Sequence, residues 1–304
     1  MWMKNLAVYA SATPFSWSAG ELNEMLEKMP CKPCGSQDMS SEGFVTPLKG
    51  HVDMVIPAQG YLLCTFQETV RLLPGPVVTE ELLERVEMIE EEQHRKVGRK
   101  ERAELKEQII FEFLPQAFTR SRRTNVLFDT QRHHVIVDAA SSTRAEQVIN
   151  ALRKAIGTLP VKPLHADIAP ASVFAEWMRN PNSLPEGLTL GERCELKGSK
   201  DGSATVRFNA VDLNQDEILA HLDNDMYPSR LNLSWQDELD FDLAEDMTFK
   251  RLKALDLLAE KQEDLQGDDA YEELQARILL QAGLIRGLLH TLTAPLAIKH
   301  PQEA

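Results

Sequence analysis

Residues 72–118 read LLPGPVVTEELLERVEMIEEEQHRKVGRKERAELKEQIIFEFLPQAF, and the period of their apolar positions decides the fold. Pro74 and Pro76 break the run that precedes them, and Thr79 is a suitable N-cap. Leu82, Val86 and Ile89 then recur at helical spacing, and Leu105, Ile109 and Phe113 form a second helical set that runs up to Pro115. Gly98 marks the turn between them. The spacing predicts a helical hairpin over 77–114, inserted into a chain of different character. Before it, NLAVYA (5–10) and YLLCTFQ (61–67) have strand composition, with one helical stretch at GELNEMLEKM (20–29). After it, NVLFDT (125–130) and HHVIVDAA (133–140) predict a strand hairpin. STRAEQVINALRKAIG (142–157) predicts an amphipathic helix with Ala145, Val148, Ile149, Leu152 and Ile156 on one side, closed by Gly157.

TLPVKPLHADIAPAS (158–172), punctuated by Pro160, Pro163 and Pro170, is a linker candidate. Beyond it come a short helix at VFAEWMRN (173–180), strand-like pieces GLTLGERCELKG (187–198) and SATVRFNAV (203–211), and a helix at NQDEILAHLDN (214–224). The alternation in SRLNLSWQDELDFDLAEDMTFKRLKAL (229–255) predicts a β-meander, and AYEELQARILLQAGLIRGLLHTL (270–292) a long apolar-striped helix. The expected class is therefore α+β. The expected organisation is a central mixed domain from 1–76 and 115–163, the hairpin 77–114 as an insertion, and an acidic α+β domain over 164–304.

A chain of 304 residues buries a large core without staples and has room for more than one domain. No run reaches the roughly 20 apolar residues that span a bilayer, and MWMKNLAVYA interrupts its apolar stretch with Lys4, so neither a membrane anchor nor an export signal is expected. Cys31, Cys34, Cys64 and Cys194 are too few for a disulfide framework and suit a reducing cytoplasm. Net charge is −14, yet Glu186 to Glu273 alone holds 23 acidic against 9 basic residues, so the remainder is neutral overall. Within that remainder Arg95, Lys96, Arg99, Lys100, Arg102 and Lys106 stand against Glu101 and Glu104, a local excess of +4, and Arg120, Arg122 and Arg123 follow. A polyanion meets the local field rather than the net charge.

Three motifs invite chemical readings. Cys31 and Cys34 form a C-x-x-C box, but no second pair or His-x-x-x-His completes a zinc site, and Pro30, Pro33 and Gly35 predict a turn rather than a reactive helix N-terminus. Two structural loop cysteines are the favoured reading, with a thiol or metal enzyme as the chemical alternative. DELDFDLAEDM (237–247) lacks the glycine and glutamate of a calcium loop and reads as a solvated or edge-protecting strand face. Hydrolase and nucleotide-binding signatures are missing, so no catalytic residue, no metal and no cofactor is expected. The basic hairpin remains. A helix dipole explains cations at one helix end, but these continue across Gly98 into the next helix, beyond the reach of that effect. Such a cluster suits phosphate contacts with little sequence preference, and the lack of interleaved aromatics favours duplex over single strands. The alternative is a protein-interaction module whose hairpin docks an acidic partner. Phe118, just past the helix-ending Pro115, is either a core plug or an apolar anchor at a subunit contact.

KNLAVY, PCGSQDM, LLPGPVV, EQHRKVGRKERAELKEQI, LPQAFTR, VIVDAASSTRAEQVINALRKAIGTLPVKPL and LNLSWQDELDFDLAEDMTFKRLKALD, in that order, resemble the blocks of the RdgC family of bacterial recombination-associated proteins. The resemblance covers nearly the whole chain. It implies a non-enzymatic, nucleoid-associated protein that binds double-stranded DNA as a ring-shaped homodimer and restrains RecA-promoted strand exchange. It implies that the family's basic arm falls on Arg95, Lys96, Arg99, Lys100 and Lys106. It also implies that the phenylalanine of the LPxAF motif, at a ring-closing contact, falls on Phe118. The chain departs from the pattern at Gly98, where lysine is expected, and at Phe208 to Val211, where basic and amide residues are expected.

Overall fold

The computed structural model describes residues 2–198, 204–263, 265 and 269–299. In chain order its elements are β1 (Ala7–Ser11), α1 (Ala19–Glu27), β2 (Ser40–Val45), β3 (Val55–Ala58), β4 (Tyr61–Arg71), α2 (Gly75–Gln93), α3 (Arg99–Phe113), β5 (Thr119–Asp129), β6 (His134–Val137), α4 (Ser142–Ile156), β7 (Val161–Pro163), α5 (Pro170–Arg179), β8 (Leu188–Gly198), β9 (Thr205–Phe208), α6 (Asp216–Asp223), β10 (Met226–Trp235), β11 (Leu239–Ala244), β12 (Phe249–Ala254), α7 (Asp256–Glu263) and α8 (Ala270–Leu296). Two sheets and interspersed helices make the chain α+β, as its periodicities predict. Of the strand-like piece 203–211, Ser203 lies outside the described residues. The chain divides into a larger unit, Met1–Lys28 with Thr46–Thr65 and Thr124–Ala304, and a smaller one, Met29–Val45 with Phe66–Arg123.

The larger unit contains two antiparallel arrays. In the first, β3 and β4 form a hairpin whose two-residue loop, Gln59 and Gly60, has positive φ at both positions (36° and 88°), the geometry that matches strand twist. β5, β6, β1 and β7 follow in that order. The predicted strand hairpin pairs Val126 with Val137 and Asp129 with His134. The amphipathic helix appears as α4, capped by the Ser141 hydroxyl and closed at Gly157, whose φ of 88° favours glycine. The proline-punctuated segment is not a free linker. Val161–Pro163 is a strand on β1, and Ala166 bridges Ile298, because prolines are tolerated on an edge strand with one unpaired side.

The second array has the order β12-β11-β10-β8-β9. Leu231, Leu233, Phe241, Leu243 and Phe249 bury one face in a core shared with Phe174 and Trp177 of α5 and with Ile278, Ile285 and Leu292 of α8. Burying each such side chain contributes about 1.5–3 kcal/mol. At Gly287 α8 leaves no room for a side chain, since a Cβ there would lie 2.7 Å from the Trp235 ring. Buried Gln281 on α8 accepts from Met3 N at 3.0 Å and donates to Met3 O at 2.8 Å, so one amide satisfies both backbone groups of a distant residue.

The acidic run departs from expectation. β11 lies inside its sheet, paired on both sides, so its carboxylates guard no edge. Alternation sends Phe241 and Leu243 to the core and Asp240 and Asp242 to the opposite face. There Asp242 is buried and accepts from Arg193 Nη2 at 3.0 Å, with Arg251 Nη1 at 3.3 Å, while Asp240 also accepts from Arg193. A buried carboxylate needs such partners, and basic residues from neighbouring strands supply them. Among the described residues no helix is long and apolar enough to cross a membrane.

Candidate nucleic-acid interface

The smaller unit carries the hairpin. α2 begins four residues before the expected cap, at Gly75. Pro76 sits in the first turn, where its fixed φ is preorganised, and the Thr79 hydroxyl is inside the helix, donating to Gly75 O at 2.9 Å. The helix ends at His94 in the left-handed region (φ 49°), and Gly98 is the N-cap of α3. Val78, Leu82, Val86 and Ile109 form the seam, with Leu105, Ile110 and Phe113 packed against it. Arg85 locks the two helices at their base. It donates to Glu81 on its own helix and to both carboxylate oxygens of Glu112 on α3, which raises its own pKa and lowers that of Glu112.

The six arm cations divide into two groups. Arg95 makes a bidentate pair with Glu101 at 2.7 and 2.5 Å, Lys96 pairs with Glu90 at 2.8 Å, and Lys100 lies 3.8 Å from Glu104. Glu90 also accepts from Val97 N, so it closes the inter-helix turn and neutralises a lysine together. Hydrogen bonds from Lys96 and Arg95 hold the Glu90 and Glu101 carboxyls below their ordinary range. Arg99, Arg102 and Lys106 are exposed and make no side-chain hydrogen bond or ion pair among the described residues. Their spacing of three and four puts them along one side of α3, so cations outside any ion pair form a stripe, Arg102 also helping to hold the Glu90 carboxyl low through its field. Beyond the hairpin, strand alternation separates the arginines of 120–123. Arg120 and Arg122 share one face of β5, while Ser121, bonded to Thr69 at 2.9 Å, and Arg123 share the other.

Phe118 is 85% exposed, so within one chain it is not a core plug. Leu72 N donates to Phe118 O at 2.7 Å, and Leu72 and Met39 are exposed nearby on the neighbouring chain segments. Arg71 holds this corner together. Its guanidinium donates to Leu114 O at 2.8 Å, Ala117 O at 3.3 Å and Gly35 O at 3.0 Å, and so joins PCGSQDM to LPQAF.

The sequence model described as "RdgC: Putative exonuclease, RdgC" matches residues 1–298. Curated proteins named recombination-associated protein RdgC from Yersinia pestis and Yersinia enterocolitica are each 35% identical over 297 residues, covering 96% of this chain and 98% of theirs. The chain belongs to the RdgC family. The motif blocks that carried the resemblance acquire physical roles in this RdgC chain. PCGSQDM is a turn in which Gly35 N donates to the Asp38 carboxylate and Asp38 N to Gly35 O. LPQAF is the one-turn helix and bend whose carbonyls Arg71 gathers. Cys31 and Cys34 are unpaired and lie in the loop before β2, where Cys34 Sγ donates to Thr69 O at 3.3 Å. Burial pushes the Cys194 thiol up to about 12 and Cys64 higher still. Among the described residues no three His, Cys, Asp or Glu are grouped so as to hold a metal ion.

Sequence reasoning overlooked Arg71 and the pairing of half the arm's cations. The ion pairs Arg95–Glu101 and Lys96–Glu90 each span six residues across a turn, outside the i, i+4 rule by which helical pairs are found. Arg71, a lone cation at a strand end, carries no pattern at all.

Proposed function

We propose that this protein binds double-stranded DNA with little sequence preference, as a homodimer, and modulates homologous recombination by limiting RecA-promoted strand exchange in the cytoplasm, at the nucleoid. The observation that carries the reading is the stripe of unpaired cations Arg99, Arg102 and Lys106. Their charge is available to phosphates without first breaking an ion pair. Arg95, Lys96 and Lys100 extend the contact by exchanging a carboxylate for a phosphate, and Arg120 and Arg122 add to it from one face of β5. Arg123, on the opposite face, belongs to the contact only if DNA reaches both faces. In this reading residues 77–114 are the DNA arm, 1–76 with 115–163 its carrier, and 164–304 a base whose acidic segment Glu186–Glu273 faces away from DNA or repels it. Phe118 is the subunit anchor. The recombination role is supported by the names of the curated relatives.

The test is a duplex titration at several salt concentrations, comparing wild type with Arg99→Ala/Arg102→Ala/Lys106→Ala. Each lost phosphate contact lowers the slope of log K against log salt by about 0.9, so the triple variant is expected to lose two to three units of slope, roughly, and most of its affinity. Arg95→Ala/Lys96→Ala/Lys100→Ala is expected to lose less. An unchanged slope in the first variant would sink the assignment, and no duplex binding even at low salt would turn the hairpin into a dock for an acidic protein. The family description names a hydrolytic alternative, exonuclease activity. An end-labelled duplex incubated with Mg²⁺ is expected to stay intact, and release of labelled nucleotides would replace the binding-only reading.

A further inference from the structure

A cavity of about 50 Å³ in the larger unit is lined by Arg132, His134, Arg286, Leu289, His290 and Thr293. A single water needs roughly 10–15 Å³ by this measure, so a small tetrahedral anion fits. No carboxylate lines it. Arg286 and His290 stand one turn apart on α8, and Arg132 sits on the turn between β5 and β6.

The surroundings fix Arg286 in place. Asp129, buried beneath the turn, accepts from Gln131 N, Arg132 N and three Arg286 contacts of 2.9 to 3.1 Å, so its charge is fully engaged. Arg286 is held further by Gln131 Oε1 at 3.0 Å and lies 5.0 Å over the Tyr61 ring. Arg286 also hydrogen-bonds the Tyr61 side chain, so it lines the cavity as a fixed charge rather than as a free donor. The Arg132 guanidinium and the His290 imidazole are exposed and have no side-chain partner among the described residues. The Thr293 hydroxyl is turned to Leu289 O and donates nothing to the cavity.

We propose that Arg132, Arg286 and His290 form a phosphate-binding site. The planar Arg132 fork matches phosphate oxygens, and unlike Arg286, which pairs with Asp129, it holds no carboxylate that an anion would have to displace. The phosphate belongs either to a nucleic-acid backbone or to a free phosphate or phosphomonoester. The site does not depend on the arm being the duplex contact, since it is built from other residues.

The experiment measures binding of inorganic phosphate by calorimetry and of a short duplex by salt-dependent titration. It compares wild type with Arg132→Ala/His290→Ala, which spares the structural Arg286, and with the arm variant Arg99→Ala/Arg102→Ala/Lys106→Ala. Inorganic phosphate is expected to bind wild type and the arm variant alike and the site variant at least about tenfold more weakly, the loss of one charge-assisted hydrogen bond. A site variant whose duplex salt slope also falls by about one to two assigns the backbone as the source, and an unchanged duplex slope assigns free phosphate. A site variant that matches wild type with both probes overturns the proposal, whatever the arm variant does.

Discussion

Arg71 shows how one side chain can set a local conformation that no pattern announces. Its guanidinium gathers carbonyls from a turn and from the bend before Phe118, of which Gly35 O and Leu114 O also accept from Asp38 N and Ala117 N. Its Nε is buried without a partner, so the contact already carries a cost that the other hydrogen bonds offset. Arg71→Met keeps the stem packing and removes the donors. We expect a loss of about 1–3 kcal/mol, read from urea unfolding, because the charge-assisted hydrogen bonds that tie the turn to the bend are lost. Retained stability would show that water replaces the guanidinium without penalty. At this scale the sequence was least legible. The charge run 95–106 was visible as a list, yet whether a given cation is free depends on which carboxylate the turn returns to it. That turn is set by His94 in the left-handed region and by Glu90 accepting from Val97 N.

The helices and strands were far more legible, because burial imposes a period on them. Leu82 and Val86 meet Ile109 as their spacing predicts, with Val78 rather than the half-buried Ile89 as the third seam residue of α2, and the β10 to β12 meander follows the alternation of its residues. What misled was composition without context. Acidic residues on β11 suggested an exposed edge, but arginines from neighbouring strands lie across from them. Pro-rich 158–172 suggested a linker, but edge-strand pairing tolerates proline. The hairpin also has a predictable acid limit. Glu90, Glu101 and Glu112 have folded pKa values below their ordinary ones, chiefly through hydrogen bonds from Lys96, Arg95 and Arg85. Unfolded chains then bind protons more readily, so the stability from these pairs is complete above the ordinary carboxylate value of about 4.3 and drains as pH falls through the lowered values. Amide exchange in α2 and α3 is expected to hold steady from pH 8 to 5 after correction for intrinsic rates, and to rise relative to the larger unit below about 4. Glu101→Gln should bring part of that loosening up to neutral pH. If exchange in α2 and α3 rises evenly across the whole range instead, the pairs contribute nothing.

For the molecule as a whole, an 85% exposed Phe118 beside exposed Leu72 and Met39 is an unusual surface for a chain that works alone. Light scattering at micromolar concentration is expected to give a dimer for wild type and a lower mass for Phe118→Glu, with helix content unchanged. Equal masses would move the subunit contact elsewhere. The division of the chain bears on something else, the order in which a growing polypeptide can fold. The hairpin's core closes within residues 78–113, whereas Ala7 waits for Val137 and Met3 for Gln281. At about 5–20 residues per second, β1 spends roughly 6–25 s with its backbone unpaired during synthesis, and the Met3 amide waits roughly twice as long. Ribosome-stalled chains of 150 residues outside the exit tunnel should therefore protect α2 and α3 from protease while the region around Met3 is still cut. Full protection of that region at that length would mean that α8 is dispensable for docking it. Vectorial synthesis thus leaves the apolar strand at residues 7–11 as the segment most in need of a chaperone.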